Sequence, residues 1–149
     1  MGIFEKALIS GEEILTYIPQ RFPIVMVDSY YGKDGNVSYT GYTPAESTLF
    51  CRDGVFTEPG IIEHMAQSAA LSAGVDFKCR GEEIPVGFIG ALSKLKIERL
   101  PETGHMLETT VSEIQKYQDI SLVSVRVESF GKVVAEGELK IFLQREEKQ

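Results

Sequence analysis

Cysteine is scarce in this sequence of 149 residues: only Cys51 and Cys79 are present, without the close spacing that a metal site uses. Two isolated thiols make no disulfide framework, and both are expected to be free in a reducing cytoplasm. Positive charge is also short. A formal net charge of −7 argues against a general nucleic-acid binder, which needs a basic footprint. No apolar run reaches the length of a membrane span, and Met1–Ser10 lacks the long apolar core of a signal peptide. Internal repeats, low-complexity tracts and metal or redox-cofactor motifs are missing too, so no cofactor and no metal site are expected. What is there is an ordinary soluble composition without an internal shift, read as one domain over 1–149. A chain of this length can bury roughly 70% of its unfolded surface, enough for one real core.

The stretch Phe56–Gly74 organises the rest. Pro59 suits a first helical turn, where its missing N–H costs nothing. Thr57 or Glu58 can flank the start, and Gly74 reads as a C-terminal stop. Ile61, Ile62, Met65, Ala66, Ala69, Ala70 and Ala73 leave no broad polar face, so the helix is expected to be buried all round. It nevertheless carries Glu63, His64 and Gln67. Glu63 and Gln67 are four apart and share a face, whereas His64 points about 100° away. A carboxylate in a buried helix has a partner or is kept for chemistry.

Around this helix the chain reads mainly as strands. Glu12–Ile18 suits a short helix closed by Pro19. Ile24–Tyr31 and Val37–Thr43 read as strands joined by the turn Lys33-Asp34-Gly35-Asn36, and Pro44–Gly54 reads as a loop. Beyond the helix, Lys78–Pro85 is polar. Val86–Arg99, Met106–Lys116, Ile120–Phe130 and Val133–Leu143 read as strands, and the tail Gln144–Gln149 as frayed. In Val86–Arg99 the alternation is imperfect, with Leu95, Ile97 and Ala91 on one face and Lys94, Lys96 and Glu98 on the other. Segregated strands around a single helix predict an α+β fold with an antiparallel sheet curled around that helix.

At this level of detail the sequence resembles a family. Ile18-Pro19-Gln20-Arg21-Phe22-Pro23-Ile24-Val25-Met26-Val27-Asp28 is similar to the opening Leu-Pro-His-Arg-Tyr-Pro-Phe-Leu-Leu-Val-Asp of β-hydroxyacyl-[acyl-carrier-protein] dehydratases. Pro59-Gly60, Glu63 and Met65-Ala66-Gln67 resemble that family's Pro-Gly…Glu-Ala-Met-Ala-Gln helix. Phe88-Ile89-Gly90-Ala91-Leu92-Ser93-Lys94 resembles its Gly-Ile-Asp-Lys strand, and Leu100-Pro101-Glu102-Thr103-Gly104-His105 its Pro-Gly-Asp turn. The matches keep their order from Ile18 to Leu143. Variant dehydratase-like proteins associated with aryl-polyene pigment biosynthesis are the nearer resemblance. The resemblance implies a hotdog fold and a dimer, with acyl-thioester sites at the subunit interface.

The departures bear on chemistry. The family's loop before the helix holds a catalytic His; here Leu49–Phe56 holds none, and the first-motif His is Gln20. Dehydration of a 3-hydroxyacyl thioester needs one group to take the C2 proton and one to protonate the leaving oxygen. Glu63 is the acid that carries over, and His64, the nearest imidazole in sequence, is the candidate second group. Gly60, Gln67 and Gly90 are candidates to bind substrate, Gly60 through a main-chain N–H at the thioester carbonyl. Glu63 could instead be a structural carboxylate paired with Arg52. His64 could be a hydrogen-bonded core residue, and His105 and Cys51 are read as peripheral. Lys78, Arg80, Lys94, Lys96 and Arg99 form either a solvated face or a basic patch for an acidic carrier.

Three functions follow from these residues. The first is a lyase that converts 3-hydroxyacyl thioesters on acyl carrier protein, or coenzyme A, to 2-enoyl thioesters. The second is a thioesterase on the same fold, and the third a non-catalytic acyl-binding or partner subunit. A homodimer or higher homo-oligomer is expected in each case, in the cytoplasm, with no nucleic-acid or membrane partner.

Overall fold

In the computed structural model, which describes residues 2–144, the expected α+β architecture is realised. One helix, α1 (Glu58–Cys79), lies across an antiparallel sheet. The strands are β1 (Ile9–Ser10), β2 (Ser29–Asp34), β3 (Val37–Tyr42), β6 (Val86–Ile97), β7 (Leu107–Tyr117), β8 (Ile120–Ser129) and β9 (Lys132–Gln144), in the order β1-β2-β3-β7-β8-β9-β6. A separate small hairpin, β4 (Cys51–Arg52) with β5 (Val55–Phe56), precedes the helix. The short helix expected at Glu12–Ile18 is a 3-10 turn, Gly11–Thr16. Of the tail expected to fray, only Gln144 lies within the described residues.

Two layers of core explain why the helix is apolar on every side. Ile61, Met65 and Ala69 pack against the sheet through Val111, Val125, Val127 and Leu139. Leu71 and Val75 face the opposite way, against Ile14, Ile18, Val27 and Tyr30 of the N-terminal cover. Each large aliphatic side chain buried in this way contributes about 1.5–3 kcal/mol. The helix is therefore held between sheet and cover, but it is not buried all round as expected: Ile62, Glu63, Ala66, Ala70 and Ala73 are only half-buried.

Two expectations need correction. Gly74 does not stop the helix, which runs five residues further to Cys79. It serves a close approach: a Cβ built there would lie 2.4 Å from the main-chain oxygen of Tyr17. The strand expected over Ile24–Tyr31 pairs only from Ser29. Ile24 lies in a turn and residues 25–28 belong to no strand, and part of this backbone is bound by helix side chains. Met26 N–H donates to Gln67 Oε1 at 2.5 Å, Ile24 C=O accepts from Gln67 Nε2 at 2.8 Å, and Met26 C=O is 2.7 Å from His64 Nδ1. Helix side chains thus do the work of a neighbouring strand, satisfying buried main-chain groups that would otherwise be orphaned.

The long strand β6 forms one edge of the sheet, paired with β9 alone. Its register shifts between Ile89 and Ala91 and again between Ser93 and Lys96. These bulges break the alternation and account for its imperfect pattern. Val86, Phe88, Ile89, Leu92 and Leu95 are all exposed along it.

Candidate active site

Below Glu63 along the helix, small side chains open a groove. Ala66, Ala69, Ala70 and Ala73 form its floor, with Phe77 further along. Residues 15–21 of the N-terminal cover form one wall and the start of β6 with the end of β9 the other, enclosing about 400 Å³. The lining is mainly apolar and of a size to take an acyl chain. Helical geometry puts Glu63 on nearly the same face as Ala66 and Ala70, one and two turns along. Neither Glu63 nor Gln67 is itself among the residues that line the groove; the carboxylate lies one turn before Ala66 on the helix that floors it.

Glu63 is half-buried, and its Oε2 accepts a hydrogen bond of 2.9 Å from Gln67 Nε2. Gln67 is fully committed, with its oxygen on Met26 N–H and its two N–H groups on Ile24 C=O and Glu63. Its amide cannot turn without losing all three bonds, so it holds the carboxylate as a rigid bracket. Arg52, the alternative partner for Glu63, lies instead beside Asp53, and both side chains are well exposed.

The structure separates His64 from this pair. The ring is completely buried and does not line the groove. A carbonyl can only accept, so Nδ1–H donates to Met26 C=O, and Nε2 accepts from the Thr109 hydroxyl at 2.6 Å. Burial pushes the imidazole down to about 4, although the bond to Met26 works in the opposite direction. His64 is thus a neutral ring that joins helix, cover and sheet, and the geometry does not bring it to the substrate as a second proton-transfer group. The network around it was not foreseen from sequence. Ser68 Oγ lies 3.5 Å from Nε2 and accepts from Thr40 Oγ1 at 2.8 Å. Thr40 and Thr109 stand directly opposite each other on β3 and β7, a pairing that becomes visible only once the register is known.

Neither glycine proposed to bind substrate lines the groove. Gly60 makes room for Phe56, whose ring would lie 2.3 Å from an added Cβ. Gly90 sits at the first β6 bulge under Phe142, only 2.0 Å from where its Cβ would be. Gly87 and Ile89 of the same strand do reach the groove. The loop without its histidine is the tight hairpin β4–β5, turned by Asp53 and Gly54, both with positive φ. His105, on the far side of that hairpin, stacks edge-on against Phe130.

The expected basic patch is largely engaged. Lys94 pairs with Glu138, Lys96 with Glu98 and Arg80 with Glu82, at 3.2, 3.0 and 3.2 Å. Lys78 lies over the Tyr17 ring, and Arg99 donates to Ser129 C=O. These cations belong to a solvated, internally paired surface.

With the geometry in place, comparison with known proteins is informative. The family model for ApeP-like proteins, described as ApeP dehydratase, matches residues 12–149. The chain belongs to the ApeP-like dehydratase family. This ApeP-like chain is also similar to 3-hydroxyacyl-[acyl-carrier-protein] dehydratase FabZ of Clostridium botulinum, at 30% identity over 134 residues, covering 85% of this chain and 90% of the relative. FabZ of Nitrosospira multiformis is 26% identical over 85% of this chain and 91% of its own length. Among solved structures, the dehydratase heterocomplex ApeI:P from Xenorhabdus doucetiae superposes with a TM-score of 0.81 at 18% identity, covering 89% of this chain and 91% of that one. A hypothetical thioesterase with coenzyme A from Streptococcus pneumoniae gives 0.64 at 8% identity, over 80% and 88%. These likenesses identify the fold of the ApeP-like chain as a hotdog, as its sequence motifs implied.

Proposed function

We propose that the chain removes water from 3-hydroxyacyl thioesters carried on acyl carrier protein, giving the 2-enoyl thioester, as one subunit of a dimeric site. The observation that carries this reading is Glu63, a half-buried carboxylate held by Gln67 one turn before Ala66 on the helix that floors an apolar groove of acyl size. The C2–H and C3–O bonds break, the C2=C3 bond forms and water leaves, so one proton must be taken and one given. With Oε2 accepting from Gln67, Oε1 is the oxygen of Glu63 that exchanges a proton. The second group is an imidazole that this chain does not place in its groove. We assign it to the neighbouring subunit, as in the resembling family, where the loop His and the helix acid face each other from different subunits.

The long exposed edge of β6 supports such pairing, because an unpaired apolar strand invites a further strand beside it. Two copies can associate this way, but a homodimer lacks the loop His. Full activity then requires a partner hotdog subunit that carries one, and the ApeI:P heterocomplex offers a precedent for unlike subunits. Free thiols at Cys51 and Cys79 are compatible with a cytoplasmic setting. Among the described residues no helix is long and apolar enough to cross a membrane.

The test is an assay with 3-hydroxyacyl- and 2-enoyl-carrier protein, using the chain alone and mixed with a dehydratase-like subunit that bears the loop His. Interconversion in the mixture, lowered roughly 10²-fold or more by Glu63→Gln, is the expected result. Release of free acid and thiol would make the protein a thioesterase. Binding without turnover in both settings would make it a non-catalytic acyl-binding subunit.

A further inference from the structure

Ile61, Met65, Ala69 and Ala73 are spaced by four along α1 and follow one another down the side that faces the sheet. The first two are fully buried and fill the space between helix and sheet. The last two end in a methyl group, and there the helix stands off the sheet. Two hollows meet in that gap. The acyl groove lies on the β9–β6 side. A recess of about 50 Å³ lies on the β3–β7–β8 side, lined by Ser38, Glu113 and Ser121. Ala69, Ala73, Ile141 and Leu143 line both hollows, so these four side chains stand between them.

The sheet register seats Ile141 on the boundary. On β9 it is directly opposite Ile89 of β6, which lines the groove, and Ser121 of β8, which lines the recess. The two hollows differ in character. The groove is mainly apolar, whereas the recess carries hydroxyls, a carboxylate and the ion pair of Lys33 with Asp76 at 2.9 Å. Its volume admits a few waters at most. An alkyl chain entering it would strip water from these groups and offer no hydrogen bond in return.

We infer that Ile141 and Leu143, set against Ala69 and Ala73, are the throat that limits acyl chain length, with Ile141 the principal specificity residue. The inference rests on the acyl-thioester reading above and adds where the chain ends. Methylenes lodged against the alanines leave water and gain affinity. A chain long enough to reach Ile141 meets the last apolar side chain before a polar recess, and each further methylene is left in water.

The test uses S-alkyl pantetheines of increasing chain length, which neither dehydration nor hydrolysis can consume, with affinities measured by calorimetry. Affinity for the parent protein should climb about fourfold with each added carbon and then level off at a definite length. In Ile141→Ala the levelling should come about two carbons later, while the shorter ligands bind within about twofold of the parent. Leu143→Ala, at a half-buried position, is the second variant if Ile141→Ala does not fold, and it should move the limit in the same direction. An unmoved limit in the folded variants overturns the inference, as does a change in affinity that is equal at every length. If affinity for the parent climbs without levelling, the inference alone falls. If affinity does not rise with chain length at all, the acyl-groove reading falls with it.

Discussion

His64 and Thr109 stand 2.6 Å apart across the interface of helix and sheet, and in the neutral ring Nε2 accepts from the Thr109 hydroxyl. Because Nδ1–H is already given to Met26 C=O, the neutral ring has one tautomer, and complete burial disfavours a second proton. An imidazole held at about 4 in the fold and near 6.5 when unfolded stabilises the protein fully above the unfolded value. That contribution is lost as pH falls from about 6.5 to about 4, because the unfolded chain takes up a proton that the fold refuses. The whole effect is about 3 kcal/mol. Urea unfolding at pH 7 and pH 4.5 should show this loss in the parent. His64→Gln should be less stable at pH 7 but should lack that component of the pH dependence. An unchanged pH slope in the variant would mean that the ring already titrates in the folded state.

Gln67→Leu removes a bracket that serves three groups at once. Met26 N–H and Ile24 C=O lose their partners, and Glu63 is no longer held. Stability should fall by about 1–3 kcal/mol for the stranded main chain. In the dehydration assay turnover should fall further than the lost fraction of folded protein explains. Parent-like unfolding would show that residues 24–28 are held by other contacts.

Gly74→Ala would ordinarily stabilise a helix interior by up to about 1 kcal/mol. The Tyr17 carbonyl stands where the new methyl must go, so the opposite sign is expected. A loss of about 1–3 kcal/mol in thermal or chemical unfolding is the predicted cost of the displaced cover. A gain would show that the cover shifts freely.

Ala69→Leu and Ala73→Leu place bulk on the floor of the groove. Ala69 is buried against the sheet, and overpacking there should cost roughly 1–3 kcal/mol. Ala73 is half-buried, so its substitution should tell more on substrate than on fold. Turnover of long acyl chains should drop relative to short ones. If both variants melt like the parent, the helix is not enclosed as described.

Charge on the outer strand tests association. Phe88→Asp or Leu92→Lys, both at exposed positions of β6, should shift sedimentation towards the monomer at micromolar concentration without unfolding the chain. An unchanged sedimentation profile would place the contact elsewhere.

The helix and most of the sheet were legible in the sequence because packing between two layers leaves few polar residues without a partner. Glu63, His64 and Gln67 were singled out as needing an explanation, whereas Ser68 and Ser72, buried polar residues of the same helix, were not. Their roles were less legible. His64 lies one residue from Glu63 in sequence but on another face, and its partners Met26 and Thr109 are 38 and 45 residues away. Ile24–Asp28 has the composition of a strand, yet Ile24 C=O and both main-chain groups of Met26 are bound by helix side chains, which no propensity encodes. Gly74 looked like a stop because a local rule favours glycine at helix ends; the close approach of Tyr17 is a tertiary fact. Gln20 was noted only as a replaced histidine, and its place in the wall of the groove became visible with the fold.

The order of strands also sets the order of events during synthesis. β6 is made before β7, yet its sheet neighbour is β9, the last strand among the described residues. At roughly 5–20 residues per second the ribosome takes seconds to deliver β9 after β6 has emerged. Through that interval a strand bearing Val86, Phe88, Ile89, Leu92 and Leu95 has neither edge covered. The bulges and the charges of Lys94 and Lys96 then act as gatekeepers, twisting and charging a nascent segment that would otherwise pair with the first strand it met.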